Sequence, residues 1–266
     1  MKLPKVSIVV TVKNEEESID LLLNSLSNLD YSGGLEIVIV DGGSDDRTRE
    51  RISNYTSIKL ITKECGIGEG RNIGIKNSSG EIIAFTDGDC VVNKDWVKNI
   101  VKYFSRSSEI AVVGGPYLPM NPQGLIERYY AACQASYFPA KSGFTTYEKI
   151  GTGNAAYLRK VIEKVGGFDE QLDGCEDDDL NIRISSLGYR LFFAEDVIVY
   201  HKFRNTLKGA LKLAFSRGKA TSLFYKKYKQ WRKLLFPYRR TLMLTSGALL
   251  IVTLLMGNLI LAAIEF

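Results

Sequence analysis

The chain has a single histidine, His201, among 266 residues, and its four cysteines, Cys65, Cys90, Cys133 and Cys175, form no Cys-x-x-Cys pair. That scarcity removes the spacing signatures of a structural zinc site and of a disulfide framework. Reduced thiols in a cytosolic setting fit this usage. No N-terminal signal peptide is expected, since Met1-Lys2-Leu3-Pro4 runs directly into a short apolar strand. Internal repeats and low-complexity tracts are missing too. The glycine-rich stretch Gly66-Ile67-Gly68-Glu69-Gly70-Arg71-Asn72 has arginine at the third glycine position of G-x-G-x-x-G, and no Gly-Lys-Ser/Thr accompanies it. Dinucleotide and P-loop sites therefore lose support. The net charge of +5 is modest and gives no indication of a nucleic acid partner.

What is present reads as a globular α/β chain, 24% charged and 45% hydrophobic. Residues 6–10 form a β-branched strand, and Ile19, Leu22, Leu23 and Leu26 follow at helical spacing. A strand over 35–40 leads to Ser44, which is placed to cap a helix with acids in its first turn. Further strands are predicted over 58–61 and 81–86, with the glycine-rich stretch leading into a short helix between them. A helix over 96–104 and a strand over 110–113 come next, then an irregular region, 114–152, rich in Tyr, Gly and Pro. Helices over 157–165 and 178–187, the second ending at Gly188, and strands over 190–194 and 197–200 complete the pattern. Alternating strands and helices predict a mainly parallel, Rossmann-like sheet covered on both faces.

The C-terminus differs in kind. Residues 241–264 contain no charged side chain, a stretch long enough to cross about 30 Å of hydrocarbon as a helix. A transmembrane helix is expected there, with a buried core helix as the alternative. Upstream, Lys226, Lys227, Lys229, Arg232, Lys233, Arg239 and Arg240 alternate with aromatic residues, so 206–240 reads as a segment for an anionic membrane interface. The positive-inside rule then puts 1–240 in the cytoplasm.

Two carboxylate clusters carry the chemistry. Asp87-Gly88-Asp89 closes an apolar strand, and Glu176-Asp177-Asp178-Asp179 opens a helix. A strand ending in Asp-x-Asp presents two oxygen ligands at the carboxyl end of a parallel sheet, where Mn²⁺ or Mg²⁺ would clamp a diphosphate. Asp-Gly is equally an ordinary turn dipeptide, and four acids equally favour a helix N-terminus. Arg71 has a fork suited either to a phosphate or to the Asp87 carboxylate.

The order of these motifs resembles that of family 2 glycosyltransferases over about residues 5–205. The resemblance rests on the first strand and Asn14-Glu15, Asp41-Gly42-Gly43-Ser44, Arg71-Asn72-Ile73-Gly74 and Asp87-Gly88-Asp89. It continues through Gly151-Thr152-Gly153-Asn154-Ala155, Gly166-Gly167-Phe168-Asp169-Glu170 and the run from Glu176 to Arg183. Gly42 departs from it, since many members carry a second aspartate there.

The resemblance implies a GT-A fold over 1–205 and a metal-dependent transfer from a UDP- or GDP-sugar. Thr11, Glu15 and Asp41 would hold the nucleobase and ribose, with Arg71, Asp87 and Glu176 also on the nucleotide-sugar side. Asp89 and His201 would hold the metal. Asp177 would be the general base, with neighbouring acids favouring its taking a proton. No carboxylate nucleophile is needed, so the expected reaction is a single displacement with inversion. The expected span would bring a lipid-linked or glycan acceptor to the active site, with 114–152 shaping the acceptor side. The competing expectations are a polyprenyl-phosphate sugar synthase and a catalytically silent partner subunit of a membrane glycan synthase.

Overall fold

A computed structural model describes residues 3–172, 174–203 and 206–229. The run Val6–Val12 (β1) is almost wholly buried, as a β-branched strand with neighbours on both sides must be. After it the chain turns at Asn14, whose φ of 58° is a left-handed conformation that asparagine tolerates. Ile19–Ser27 (α1) then buries Ile19, Leu22, Leu23 and Leu26, as their spacing predicts.

Leu35–Asp41 (β2), Thr48–Ser53 (α2), Ile58–Thr62 (β3), Ile67–Lys76 (α3) and Ile82–Asp87 (β4) continue the alternation. Cys90–Val92 (β5), Trp96–Phe104 (α4), Ile110–Gly114 (β6), Tyr117–Pro119 (β7), Leu125–Tyr137 (α5) and Gly143–Thr145 (β8) follow. Beyond a 3₁₀ turn at Tyr147–Lys149 lie Asn154–Leu158 (β9), Arg159–Lys164 (α6), Glu176–Ser186 (α7), Arg190–Phe193 (β10), Val199–His201 (β11) and Leu207–Lys227 (α8).

Among the described residues the main sheet has eight strands in the order β3-β2-β1-β4-β9-β6-β10-β8, and a smaller one runs β5-β11-β7. The strands β3, β2, β1 and β4 are parallel, whereas β9 runs antiparallel to both β4 and β6. The chain steps outward from β1 through β2 to β3 and then returns to the far side of β1 as β4. That reversal creates a crevice at the carboxyl ends of β1 and β4, where open α/β sheets bind ligands. Register brings Thr11 opposite Asp87 and Val12 opposite Asp41, so the acidic strand ends lie side by side.

Several sequence expectations are corrected. Residues 154–158 form a strand, and only Arg159–Lys164 of the expected helix is helical. Ala155, Ala156 and Tyr157 are fully buried between two strands, a tertiary setting that overrides local helix propensity. The region 114–152 contains the 13-residue α5, which buries none of its residues and so leaves no apolar period to read. Ser44 caps no helix: its hydroxyl accepts the Asn14 N–H at 2.9 Å, and α2 starts instead where the Asp46 carboxylate accepts the Thr48 N–H at 2.9 Å. Gly68, Gly70 and Gly74 lie within α3 instead of preceding it.

The chain divides into two units, Met1–Arg217 and Gly218–Phe266. In the second, the Phe224 ring lies 4.9 Å from that of Tyr228. The expected span, 241–264, and the interfacial segment from 230 onward lie outside the described residues, and no described helix is long and apolar enough to cross a membrane.

Candidate active site

Loops after β1 and β2 are laced into one wall of the crevice. Asn14 accepts the Asp45 N–H through its side chain at 3.0 Å, and the Glu15 N–H donates to Thr48 Oγ1 at 2.8 Å. Asp41 is buried, and its Oδ1 accepts the N–H groups of Gly43 and Ser44 at 3.1 and 3.0 Å. Asp41 Oδ2 is buried without a partner, an acceptor left available inside the fold. Glu15 accepts the Ser18 hydroxyl at 2.6 Å and lies against Gly88, where a Cβ would come within 2.9 Å of its Cγ. Thr11 and Glu15 are thus brought to the same strand ends as Asp41 and the Asp87-Gly88-Asp89 turn.

Arg71 lies between two carboxylates. It is only 3% exposed, bonds Glu176 and lies 3.5 Å from Asp87, while the Phe168 ring sits 5.4 Å from its guanidinium carbon. Burial pushes the Asp87 and Glu176 carboxyls upward, and the Arg71 guanidinium opposes that rise. A side chain this polar reaches the interior because α3 lies close on β1 through glycines: a Cβ on Gly74 would collide with Val9, and one on Gly70 would come within 2.7 Å of Thr11. The glycine-rich stretch therefore serves helix–sheet approach, and Arg71 is the residue it delivers.

Glu176 and Asp177 occupy the first turn of α7, where acids meet the positive end of the helix dipole. Asp177 is half-buried and accepts the Thr152 N–H at 3.4 Å. Gly151 and Gly153 form the neighbouring wall, and a Cβ on Gly153 would collide with the Asp87 carboxylate. Sequence reasoning did not single out Tyr117, whose hydroxyl donates to the Gly151 carbonyl at 2.9 Å, because no motif marks it. It also passed over Asn154, although the residue stands in a quoted motif. Asn154 is fully buried, donates to the carbonyls of Pro116 and Val197 at 2.9 and 2.8 Å and accepts the Trp96 indole N–H at 2.8 Å. It thereby ties β9 to both chains that frame the small sheet.

Asp89 and His201 meet across the small sheet, with Nε2 3.4 Å from the carboxylate. A carboxylate and an imidazole are a set that fits a divalent ion, and the buried, unpartnered His201 Nδ1 leaves Nε2 as the nitrogen facing Asp89. Cys90 completes the cluster. Beside it, a cavity of about 250 Å³ is lined by Tyr117, Leu118, Ala131, Ala135, Phe138 and Phe193, among others.

The glycosyl transferase family 2 profile matches residues 7–166. Glycosyltransferase AglE of Haloferax volcanii is 32% identical over 226 residues, which cover 82% of this chain and 73% of AglE. A dolichyl N-acetyl-α-D-glucosaminyl phosphate 3-β-D-2,3-diacetamido-2,3-dideoxy-β-D-glucuronosyltransferase of Methanococcus voltae is 27% identical over 260 residues, 91% of this chain and 80% of that one. Among solved structures, the mannosyltransferase PcManGT of Pyrobaculum calidifontis, in complex with GDP-Man and Mn²⁺, superposes with a TM-score of 0.67 at 22% identity. That match covers 85% of this chain and 64% of the Pyrobaculum chain, and the likeness bears out the GT-A fold.

Proposed function

This chain belongs to glycosyl transferase family 2, and from that premise we propose that it transfers a sugar from a UDP- or GDP-sugar to a hydroxyl of a lipid-linked or glycan acceptor, with inversion at the anomeric carbon. The observation that carries the reading is Arg71, which joins Asp87 on the donor side to Glu176, the neighbour of Asp177, within one crevice.

In this scheme the unpartnered Asp41 Oδ2 accepts an imide N–H of the nucleobase, and Thr11 and Glu15 line the ribose side. Asp87 faces the ribose and diphosphate, held by the buried Arg71–Glu176 pair. Asp89 and His201 would hold Mn²⁺ or Mg²⁺, which would supply charge neutralisation for a diphosphate leaving group. The acceptor oxygen attacks the anomeric carbon opposite the leaving group, and Asp177 takes its proton as the bond forms. The apolar cavity beside Tyr117 and the relative named for a dolichyl-borne sugar phosphate support a lipid-linked acceptor.

Residues 1–205 form the catalytic domain in this reading, with 206–240 at the membrane interface and 241–264 as a span that keeps the active site cytoplasmic. Support comes from α8, where Leu207, Leu211 and Phe215 are 65%, 61% and 80% exposed at one-turn spacing, beside exposed Lys208, Lys212 and Lys219.

The test is calorimetric titration with UDP and GDP, with and without Mn²⁺, on the native chain and on Asp177→Asn. One nucleotide should bind in a metal-dependent way to both proteins, while the substitution lowers transfer by about 10²–10⁴-fold. Full turnover in Asp177→Asn would remove that residue from the base role.

A further inference from the structure

Cys90 is the one member of the small-sheet cluster that sugar transfer leaves without a task. Cys90 of β5 and His201 of β11 are antiparallel partners, so their side chains project from the same face. Asp89 directly precedes Cys90. One ligand atom from each of the three residues lies within 4.8 Å of the other two. Imidazole Nε2 is 3.4 Å from one Asp89 oxygen, and Cys90 Sγ is 3.8 Å from the other. Ligand atoms about 2.0–2.3 Å from a tetrahedral Zn²⁺ stand about 3.3–3.7 Å apart, so side chains whose ligand atoms all lie within 4.8 Å of one another need only a small adjustment to share one ion.

We propose that Asp89, Cys90 and His201 form a three-ligand site for a thiophilic divalent ion of the Zn²⁺ class, whose binding competes with Mn²⁺ or Mg²⁺ at Asp89 and His201. A thiolate, an imidazole and a carboxylate together favour Zn²⁺ over Mn²⁺, because soft sulfur and the Irving–Williams order act in the same direction. On binding, the Cys90 thiol gives its proton to solvent and its sulfur takes the metal, with no change in oxidation state. The fourth tetrahedral position stays open, which is fewer than the positions a six-coordinate ion offers to a diphosphate. A Zn²⁺-loaded chain is therefore inhibited. The site itself stands on the three side chains alone, and only the competition rests on the reading that Asp89 and His201 hold the metal used in transfer.

Cd²⁺, a spectroscopic substitute for Zn²⁺, tests this on the 266-residue chain. One equivalent should raise an ultraviolet thiolate-to-metal charge-transfer band that Zn²⁺ abolishes by displacement. Cys90→Ser should remove the band although Cys65, Cys133 and Cys175 remain. Zn²⁺ affinity should fall by more than the roughly 10–100-fold that outer partners of a metal site account for. Because Cys90 is buried, Cys90→Ala serves as a second variant, with circular dichroism reporting the fold of each. No band at one equivalent in the folded native chain overturns the site whatever the variants do, and a band that survives Cys90→Ser overturns it equally. Calorimetric Mn²⁺ binding should weaken as Zn²⁺ is added. Mn²⁺ binding that Zn²⁺ leaves unchanged overturns the competition, whereas a chain that binds Cd²⁺ through Cys90 but no Mn²⁺ keeps this site and removes the donor-metal reading.

Discussion

Arg71 joins Asp87 to Glu176 from a position 3% exposed, so the buried Glu176 carboxyl and the partly exposed Asp87 carboxyl share one guanidinium. Removing it leaves both without their counter-charge, and the broken buried pair with Glu176 alone costs about 3–5 kcal/mol. The pH dependence has a definite sign. Burial already raises both carboxyls, and loss of Arg71 raises them further, so ionising them opposes folding and stability falls as pH rises. Arg71→Met should therefore be more destabilised at pH 8 than at pH 5 by urea denaturation. An equal loss at both would mean that the guanidinium acts through packing alone. At this scale the sequence named the chemistry of Arg71 but left its partner open, because phosphate and carboxylate present the same oxygen geometry to a guanidinium.

Elements show what close approach demands. In Gly74→Ala the new methyl collides with Val9, an overpacking that costs about 1–3 kcal/mol and shifts α3 with Arg71 on it. Val9→Ala in the same chain should recover part of the loss, and a double-mutant cycle measures the coupling. Strictly additive changes would argue against direct contact. The starts of β1, β2 and β4 are joined by Glu36, which accepts from Ser7, from Lys5 Nζ at 3.0 Å and from the Gly80 N–H at 3.1 Å. Burial pushes this carboxyl up, but hydrogen bonds from Ser7, Ser79 and Lys5 prevail and lower it from 4.5 to about 2. Its contribution is therefore complete above about pH 4.5 and lost as pH falls toward about 2. Discounted for partial solvent contact, Glu36→Gln should cost about 1–2 kcal/mol at neutral pH, with the gap closing in acid. A pH-independent difference would sink this account. Strands and helices with a clean apolar period, such as α1 and α4, were readable from sequence. β9 was not, because its partners β4 and β6 come from elsewhere in the chain and local propensity favoured a helix.

For the whole molecule the distribution of charge matters more than the net value. Residues 1–196 carry 22 Lys and Arg against 29 Asp and Glu, whereas 197–264 carry 13 Lys and Arg and no acid. Each basic residue near an anionic bilayer contributes about 1 kcal/mol, screened by salt. Sedimentation should find the chain on phosphatidylserine-containing vesicles, with binding weakened by salt and by Leu211→Asp with Phe215→Asp. Equal binding to neutral vesicles would exclude the electrostatic part. The sequence by itself determined the α/β class, the family and the two acidic clusters, because strand periodicity and short motifs are local properties of the chain. Only the tertiary structure decided that Arg71 serves two carboxylates, that Asn154 clamps the small sheet and that Cys90 faces His201. Those pairings depend on strand order and register, which bring together residues that no local spacing connects.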